Sequence, residues 1–184
     1  EVSLERGNPV QAAETLFTLG DIARHEGDLE RAAEAYARSV ELCEGIWPSR
    51  TYLGHLNLGL VDVERGRFSR ARARFERCQE IFEESGHQIL LTWTRAFLLP
   101  CLADAGRWEE LEDKLDYAAS KMRENEMYET DAPRTARMAA RMALDAGREA
   151  LAERLLAFAA DQWDGLDQPE RAEAAREELA SLGE

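Results

Sequence analysis

The chain has 184 residues, of which 45% are hydrophobic and 33% are charged, and its formal net charge at pH 7 is −14. A chain of this length can bury a core, and this composition is ordinary for a folded helical protein, which argues against extended disorder. The negative charge disfavours sequence-independent binding of nucleic acid, because each phosphate contact needs a cation and the field of the protein repels a polyanion.

Hydrophobic periodicity and helix-start residues predict nine helices along the chain. Asn8 before Pro9 is a typical helix start, and Asp131 and Asp167 are each followed two residues later by proline. Residues 1–7 read as the tail of an earlier helix, so the chain is interpreted as a piece of a larger protein. The predicted helices are 9–26, 28–45, 49–65, 67–85, 88–105, 107–126, 131–146, 148–164 and 168–182.

The fifth predicted helix is unusual, because Pro100 lies inside it and is expected to kink it. The same region holds the most apolar stretch of the chain, 89–103, which Arg95 and Pro100 interrupt. No run reaches the about 20 apolar residues that a membrane-spanning helix needs.

An internal repeat organises these helices, with a glycine recurring every 39 to 41 residues. Five residues after each glycine comes a small or apolar residue, nine after comes a large one, and twelve after comes another small one. This period and alternation predict stacked helical hairpins, a solenoid that usually holds another molecule. The glycines are Gly27, Gly66, Gly106 and Gly147, and the large residues are Tyr36, Phe75, Leu115 and Leu156.

These residues resemble the tetratricopeptide repeat family, which has Leu-Gly in a first helix, Gly-Asp at the turn, and alanine, an aromatic and a small residue in a second helix. The likeness is strongest in repeat one and is also clear in repeat two. Repeat one matches at Leu16, Leu19, Gly20, Gly27, Asp28, Leu29, Ala32, Tyr36 and Ser39, and repeat two at Leu58, Gly59, Gly66, Phe68, Ala71 and Phe75. The likeness weakens along the chain, the period exceeds the family's 34 residues, and Asp62 stands where a large residue is expected.

The resemblance implies an all-α fold, a right-handed α-solenoid of about four helical hairpins with a C-terminal capping helix. It implies one domain over residues 1–184, a long-repeat variant of about 40 residues per repeat. The repeats are 9–45, 49–85, 88–126 and 131–164, and the cap is 168–182.

The resemblance also places the first helix of each hairpin along a concave groove, which predicts a set of binding residues. Repeat one supplies Phe17, Asp21 and Arg24, repeat two supplies Leu53, Leu56, Leu60 and Val63, repeat three supplies Trp93, and repeat four supplies Arg134, Arg137 and Arg141. The helix at 49–65 is apolar nearly all round, so its leucines should be covered. Neighbouring helices, a peptide or partner helix, and a second copy of the chain are three alternatives for what covers them.

Two arginine stripes stand out in this acidic chain. Arg134, Arg137 and Arg141 share one helix face, which suits binding of carboxylate or phosphate. The alternative is local pairing of Arg134 with Asp131 and of Arg141 with Asp145, which leaves Arg137 without a nearby acidic partner in the sequence.

The second stripe follows the turn of repeat two and consists of Arg70, Arg74 and Arg77. It is interpreted as ion pairing between repeats, with Glu30, Glu34 and Glu41 as the expected partners.

A catalytic or metal-binding motif is not found. His25, His55 and His87 are isolated, and His55 is interpreted as a packing histidine. The three cysteines are far apart, so a disulfide framework is not expected, and Cys78 is interpreted as a buried, unreactive thiol. We therefore expect no enzyme activity, no cofactor and no metal.

The sequence thus favours a protein-interaction scaffold that binds a peptide or partner domain in its groove, within a larger bacterial signalling or regulatory protein of the cytoplasm. The bacterial source is inferred from composition, since 21 of the 23 basic residues are arginine. Leu56, Leu60 and Trp93 would be apolar anchors, and Arg137 and Arg141 would orient an acidic group. The alternatives are a small-molecule sensor domain that controls an attached effector domain, and a dimerisation module that forms a homodimer.

Overall fold

A computed structural model describes residues 8–46 and 48–181, and over these ranges the chain forms ten helices and no strands. The expected helix tail at 1–7 and the last residue of the predicted cap, residue 182, lie outside the described ranges. The helices are α1 (Pro9–His25), α2 (Leu29–Cys43), α3 (Pro48–Glu64), α4 (Phe68–Ser85), α5 (Gln88–Phe97), α6 (Leu99–Asp104), α7 (Trp108–Glu124), α8 (Asp131–Asp145), α9 (Glu149–Gly165) and α10 (Pro169–Ala180).

The predicted helix boundaries agree with the structure except at 88–105, where one predicted helix forms the two helices α5 and α6. Pro100 has no amide hydrogen, so the carbonyl of Ala96 lacks its usual donor four residues later. The hydroxyl of Thr135 on α8 lies 3.1 Å from that carbonyl oxygen, within hydrogen-bonding distance. The same hydroxyl lies 3.0 and 2.9 Å from the carbonyl oxygens of Asp131 and Ala132, so a side chain 39 residues away approaches the break and shares one proton among three acceptors.

The hairpin turns have one repeated backbone geometry. Gly27, Gly66, Gly106 and Gly147 all adopt positive φ, between 66° and 82°. After each glycine, the next amide donates to a carbonyl five residues earlier, as in Arg67 to Asp62 at 2.8 Å. This bond closes the end of a helix and needs a left-handed residue before the donor, a conformation that glycine adopts without a Cβ clash.

The chain divides into two compact units, the first ending at Cys78 and the second beginning at Gln79, so α4 contributes to both. In the first unit, α1 packs on α2 and α2 packs on α3. Large rings from the second helix of a hairpin fill the space that a glycine leaves on the first. A Cβ built on Gly20 would lie 2.6 Å from Tyr36 Cε1, and one on Gly59 would lie 2.4 Å from Phe75 Cε1.

In the second unit, α8 and α9 form a hairpin on which α10 packs, and α7 contacts α5, α6 and α9. The repeat positions that the sequence assigned to packing are buried here, including Leu111, Leu115, Ala118, Ala152 and Leu156. The alanine face of α8 lies in this core, and its arginine face points away from it. The core therefore fixes which way the α8 arginines point.

Ion pairs join side chains that are about one repeat apart in the sequence. In the first unit, Arg24 Nη1 on α1 lies 2.9 Å from Glu64 Oε1 on α3, 40 residues later. In the second unit, Arg154 Nη1 on α9 lies 2.7 Å from Glu112 Oε2 on α7, 42 residues earlier. Equivalent positions of successive hairpins thus lie side by side.

Candidate binding site

A cleft on α8 contains the arginine stripe of repeat four. Its volume is about 320 Å³, and one wall is Trp163 of α9. We call it the α8 cleft, and its lining residues are Arg134, Arg137, Met138, Arg141, Met142, Asp145 and Trp163. The guanidinium groups suit anion recognition and the flexible methionines supply an apolar surface, while the Asp145 carboxylate disfavours an anion beside it.

Arg137 has an acidic partner that its own helix does not supply. Its Nε donates to Glu178 Oε2 of α10 at 2.9 Å, and its Nη2 donates to Oε1 of the same carboxylate. This two-point contact is the arrangement in which guanidinium binds carboxylate most specifically. Arg137 thus has no partner on its own helix, as its sequence neighbours indicated, and its acidic partner lies 41 residues later, on the helix that packs against α9.

Arg141 also binds Glu178, with Nη2 3.2 Å from Oε1. Arg134 pairs with Asp131 at 3.5 Å, as the local alternative predicted, whereas Arg141 pairs with Glu178 in place of the expected Asp145. The side chains of Arg134 and Arg141 are 50% and 68% exposed. The pKa of the Glu178 carboxyl is lowered from its usual value, chiefly by the hydrogen bond from Arg137.

Trp163 is buried beside these arginines. The guanidinium carbon of Arg171 lies 4.8 Å from the centre of its ring, a cation–π contact. Its indole nitrogen is buried and has no hydrogen-bond partner within the described part of the chain. Since Trp163 is only 2% exposed, the apolar surface that the α8 cleft offers to a partner is mainly that of Met138 and Met142.

The predicted groove residues of repeat one form a polar network within the first unit. Asp21 Oδ1 accepts from the Tyr36 hydroxyl at 2.7 Å and from Asn57 Nδ2 at 3.2 Å. The ring of Phe17 lies edge-on to Tyr36, with centroids 5.6 Å apart. Arg24 is bound to Glu64, so Asp21 and Arg24 both make polar contacts within the chain.

The predicted apolar floor of repeat two is largely covered. Leu56 is 2% exposed, Leu60 is 3% exposed and Val63 is 3% exposed, while Leu53 is partly exposed. In this conformation Leu56 and Leu60 therefore offer no apolar surface to a partner, which corrects their interpretation as exposed anchors. Trp93 on α5 is partly exposed, and its buried indole nitrogen has no hydrogen-bond partner among the described residues.

Asp62, which stands where the repeat pattern expects a large residue, binds two arginines of the second stripe. Asp62 is buried, and its Oδ2 lies 3.2 Å from Arg70 Nε and 3.0 Å from Arg74 Nε. For Arg70 and Arg74, the expected partners Glu30, Glu34 and Glu41 of the preceding repeat are replaced by Asp62 of the same hairpin, and Glu30 binds Arg65 at 3.0 Å. A buried aspartate in a hairpin core requires cationic or hydrogen-bonding partners. An aspartate at a packing position of the repeat was therefore the sequence feature that indicated this ion pair.

The isolated histidines and cysteines do not gather into a reactive group. His55 Nδ1 lies 3.5 Å from Arg74 Nη1, and burial lowers the pKa of His55 from its usual value. Burial raises the pKa of Cys78 to about 12, as expected for an unreactive thiol. The described residues contain no group of three or more His, Cys, Asp or Glu side chains that could hold a metal.

Comparison with known proteins supports the repeat architecture. Residues 13–46 match the family model described as the tetratricopeptide repeat. No curated protein matches the chain. No helix in the described ranges is both long and apolar enough to cross a membrane. The resemblance to the tetratricopeptide repeat family is thus confirmed for the first repeat of the sequence.

Solved structures extend the likeness to the fold of the chain. The apo form of RapI is similar with a TM-score of 0.70 and 13% identity, over 89% of this chain and 60% of that one. BtubC (BKLC) from P. vanneervenii is similar with a TM-score of 0.62 and 14% identity, over 95% of this chain and 82% of that one. A structure of nearly identical TPR-like repeats of a kinesin light chain from Podosopora anserina is similar with a TM-score of 0.62 and 12% identity, over 97% of each chain.

These likenesses confirm the predicted fold class, an all-α fold of TPR-like helical hairpins. The chain spans 60% of the length of RapI. Together the repeat match and the fold support a protein-interaction scaffold in general terms, a class that is typically not catalytic.

Proposed function

We propose that this chain is a protein-interaction scaffold that binds an acidic segment of a partner protein at the α8 cleft. It works within a larger bacterial signalling or regulatory protein of the cytoplasm. The partner supplies a carboxylate to the exposed arginines and an adjacent apolar side chain to Met138 and Met142. The observation that carries this proposal is the two-point contact of Arg137 with a carboxylate at the edge of this cleft.

The chain's own Glu178 supports the choice of ligand chemistry. Arg137 and Arg141 converge on one carboxylate, so their spacing on α8 suits an acidic group presented from outside the helix. Arg141 uses Nη2 for this contact and keeps a mostly exposed side chain. A second carboxylate approaching along α8 would meet Arg134 and Arg141 on the same helix face, about two turns apart.

The methionines explain why an apolar residue should accompany the acid. Met138 and Met142 are partly exposed and line the cleft between the arginines and Trp163. Unbranched thioether side chains adapt to different apolar partners at little cost. An acidic residue next to a leucine, methionine or aromatic residue is therefore the expected recognition element.

The first experiment is selection from a library of displayed random peptides, comparing the wild-type chain with Arg141→Glu. Wild type should enrich peptides that carry Asp or Glu beside an apolar residue. Arg141→Glu should weaken binding of those peptides by about tenfold or more, because a favourable charge pair becomes a repulsive one. Arg38→Glu on α2 is the matched control, since Arg38 is exposed and lies outside the α8 cleft.

The same pair of variants should then be used to capture a natural partner. A protein that wild type and Arg38→Glu retain and Arg141→Glu loses would support the α8 cleft as the binding site. Equal retention by all three chains, or peptides enriched without an acidic residue, would contradict the proposal. Circular dichroism must first show equal helix content in the three proteins.

A further inference from the structure

The chain contains only two lysines, Lys114 and Lys121, and both lie on α7. They are seven residues apart, so they occupy one face of the helix about two turns from each other. Lys121 donates from Nζ to Glu124 Oε2 at 2.7 Å, an ion pair of the common surface type. This hydrogen bond raises the pKa of Lys121, so the ammonium form of that lysine is favoured.

Lys114 has a neutral partner instead. Its Nζ donates to the side-chain carbonyl of Gln79, on α4, at 2.9 Å. The orientation of the Gln79 amide is fixed, because its Nε2 donates to Glu83 Oε1 at 3.1 Å while its Oε1 faces a group that can only donate. These residues all belong to the second unit. An uncharged amide stabilises an ammonium less than a carboxylate does.

The two carboxylates that act on Lys114 are engaged by arginines. Glu83 Oε1 also accepts from Arg95 Nη2, at 2.8 Å. Glu110 stands four residues before Lys114, the spacing that usually gives a helix ion pair, but it binds Arg107. Within the described part of the chain, Lys114 therefore has a neutral hydrogen-bond acceptor and makes no ion pair.

The ammonium form of Lys114 is disfavoured as a result. Burial lowers the pKa of Lys114 most, and the charge of Arg95 lowers it further. Glu110 and Glu83 oppose this change and Arg107 adds to it, so the pKa lies below its usual value. The side chain is only partly buried, so a small reagent can reach it. Desolvation and a neighbouring cation are the conditions that make a lysine nucleophilic, since the neutral amine is the species that attacks.

We propose that Lys114 is a site of Nε-acylation, at which an activated acyl donor, an acyl phosphate or an acyl thioester, modifies the chain. The lone pair of neutral Nζ forms a bond to the acyl carbon, and the bond from that carbon to the phosphate oxygen or the thioester sulfur breaks. The leaving group keeps that electron pair, and the surplus proton of the amine passes to water. The step involves no oxidation or reduction. It does not depend on the proposed function.

Acylation changes the local charge without breaking the contact between α4 and α7. The amide product keeps one N–H, which can still donate to Gln79 Oε1. It loses the positive charge beside Arg95, which relieves a repulsion. The modified chain should therefore stay folded.

The test is acetylation of the folded chain by acetyl phosphate and, separately, by acetyl-coenzyme A at about pH 8, with mass spectrometry of both lysine sites at early times. Lys121 is the internal control, because it lies on the same helix and pairs with Glu124. We expect one donor or both to acetylate Lys114 at least about threefold faster than Lys121, and the donor that acts identifies the acyl source. The rate at Lys114 should also reach half its maximum at a lower pH, because its pKa is lowered and that of Lys121 is raised.

Two variants test the environment of the lysine. Gln79→Glu puts a carboxylate where the amide accepts from Lys114, and it should slow acetylation there by at least about threefold while Lys121 stays within about twofold. Gln11→Glu adds the same charge at an exposed position of the first unit and should leave both rates unchanged within about twofold. Circular dichroism should show equal helix content in the three proteins. The proposal is overturned if neither donor acetylates Lys114 faster than Lys121, if the half-maximal pH of Lys114 is not the lower one, or if Gln79→Glu leaves its rate unchanged.

Discussion

The repeat pattern predicts that a single methyl group at Gly59 destabilises the first unit. Gly59 lies in α3, and a Cβ built there would be 2.4 Å from Phe75 Cε1, 2.8 Å from Cζ and 3.0 Å from Cδ1. Carbon atoms pack at about 3.5–4.0 Å, so the methyl group overlaps the ring by more than about 1 Å. Phe75 is 0% exposed and has no solvent-facing space into which its ring could turn.

Two opposing effects set the magnitude for Gly59→Ala. Alanine favours the helix over glycine by about 1 kcal/mol. Overpacking a filled core costs about 1–3 kcal/mol and occasionally more, and an overlap of this size belongs at or above the upper end. We expect a net loss of about 2 kcal/mol, which lowers the melting temperature of a chain of this size by about 4–8 °C.

Thermal unfolding followed by far-ultraviolet circular dichroism measures this loss, and a double-mutant cycle identifies its cause. Phe75→Leu removes the ring that meets the methyl group. The double variant should therefore be more stable than the sum of the single losses predicts, by about 1 kcal/mol. A Gly59→Ala chain as stable as wild type, or strictly additive losses, would refute the argument that the glycine is required by ring packing.

Three further outcomes are expected. Glu178→Gln should lower the melting temperature at pH 7, because the pKa of Glu178 is lowered in the fold. The stabilising contribution of this carboxylate is present above the usual carboxyl pKa of about 4.3 and is lost as the pH falls. In a series of melts at different pH, the melting temperatures of wild type and variant should therefore converge below about pH 4. Cys78 should resist iodoacetamide in the folded chain and react after denaturation, as mass spectrometry can show; rapid native labelling would contradict its burial. Asp62→Ala should cost about 1–3 kcal/mol in denaturant unfolding, because Arg70 and Arg74 lose their shared partner, and an unchanged midpoint would argue against that role.

Much of the local structure follows from the sequence, and the turns show why. A glycine after a helix marks a left-handed residue, and Gly27, Gly66, Gly106 and Gly147 all adopt it. The same geometry occurs at Glu126 and Asp167, with φ of 48° and 55°, where a non-glycine residue carries no such signal. A left-handed turn residue can therefore be predicted from the sequence where it is a glycine, and it is missed where another residue type adopts the same conformation.

The break between α5 and α6 was predicted only in part. Pro100 indicates a disturbed helix, since it removes a backbone donor wherever it stands. Which group approaches the carbonyl of Ala96 depends on α8, whose Thr135 lies in a different hairpin. A proline thus determines that a helix is perturbed, and the packing of its neighbour determines how the perturbation is accommodated.

The candidate sites show the same division. The sequence by itself determined the helical hairpins, their small and large packing residues and the common face of Arg134, Arg137 and Arg141, because these depend on spacing within one helix. Only the tertiary structure decided that Leu56 and Leu60 are covered and that Arg137 binds Glu178. These contacts join residues about one repeat apart in the sequence. Which residues meet depends on how successive helices pack, and the spacing within a single helix does not determine that packing.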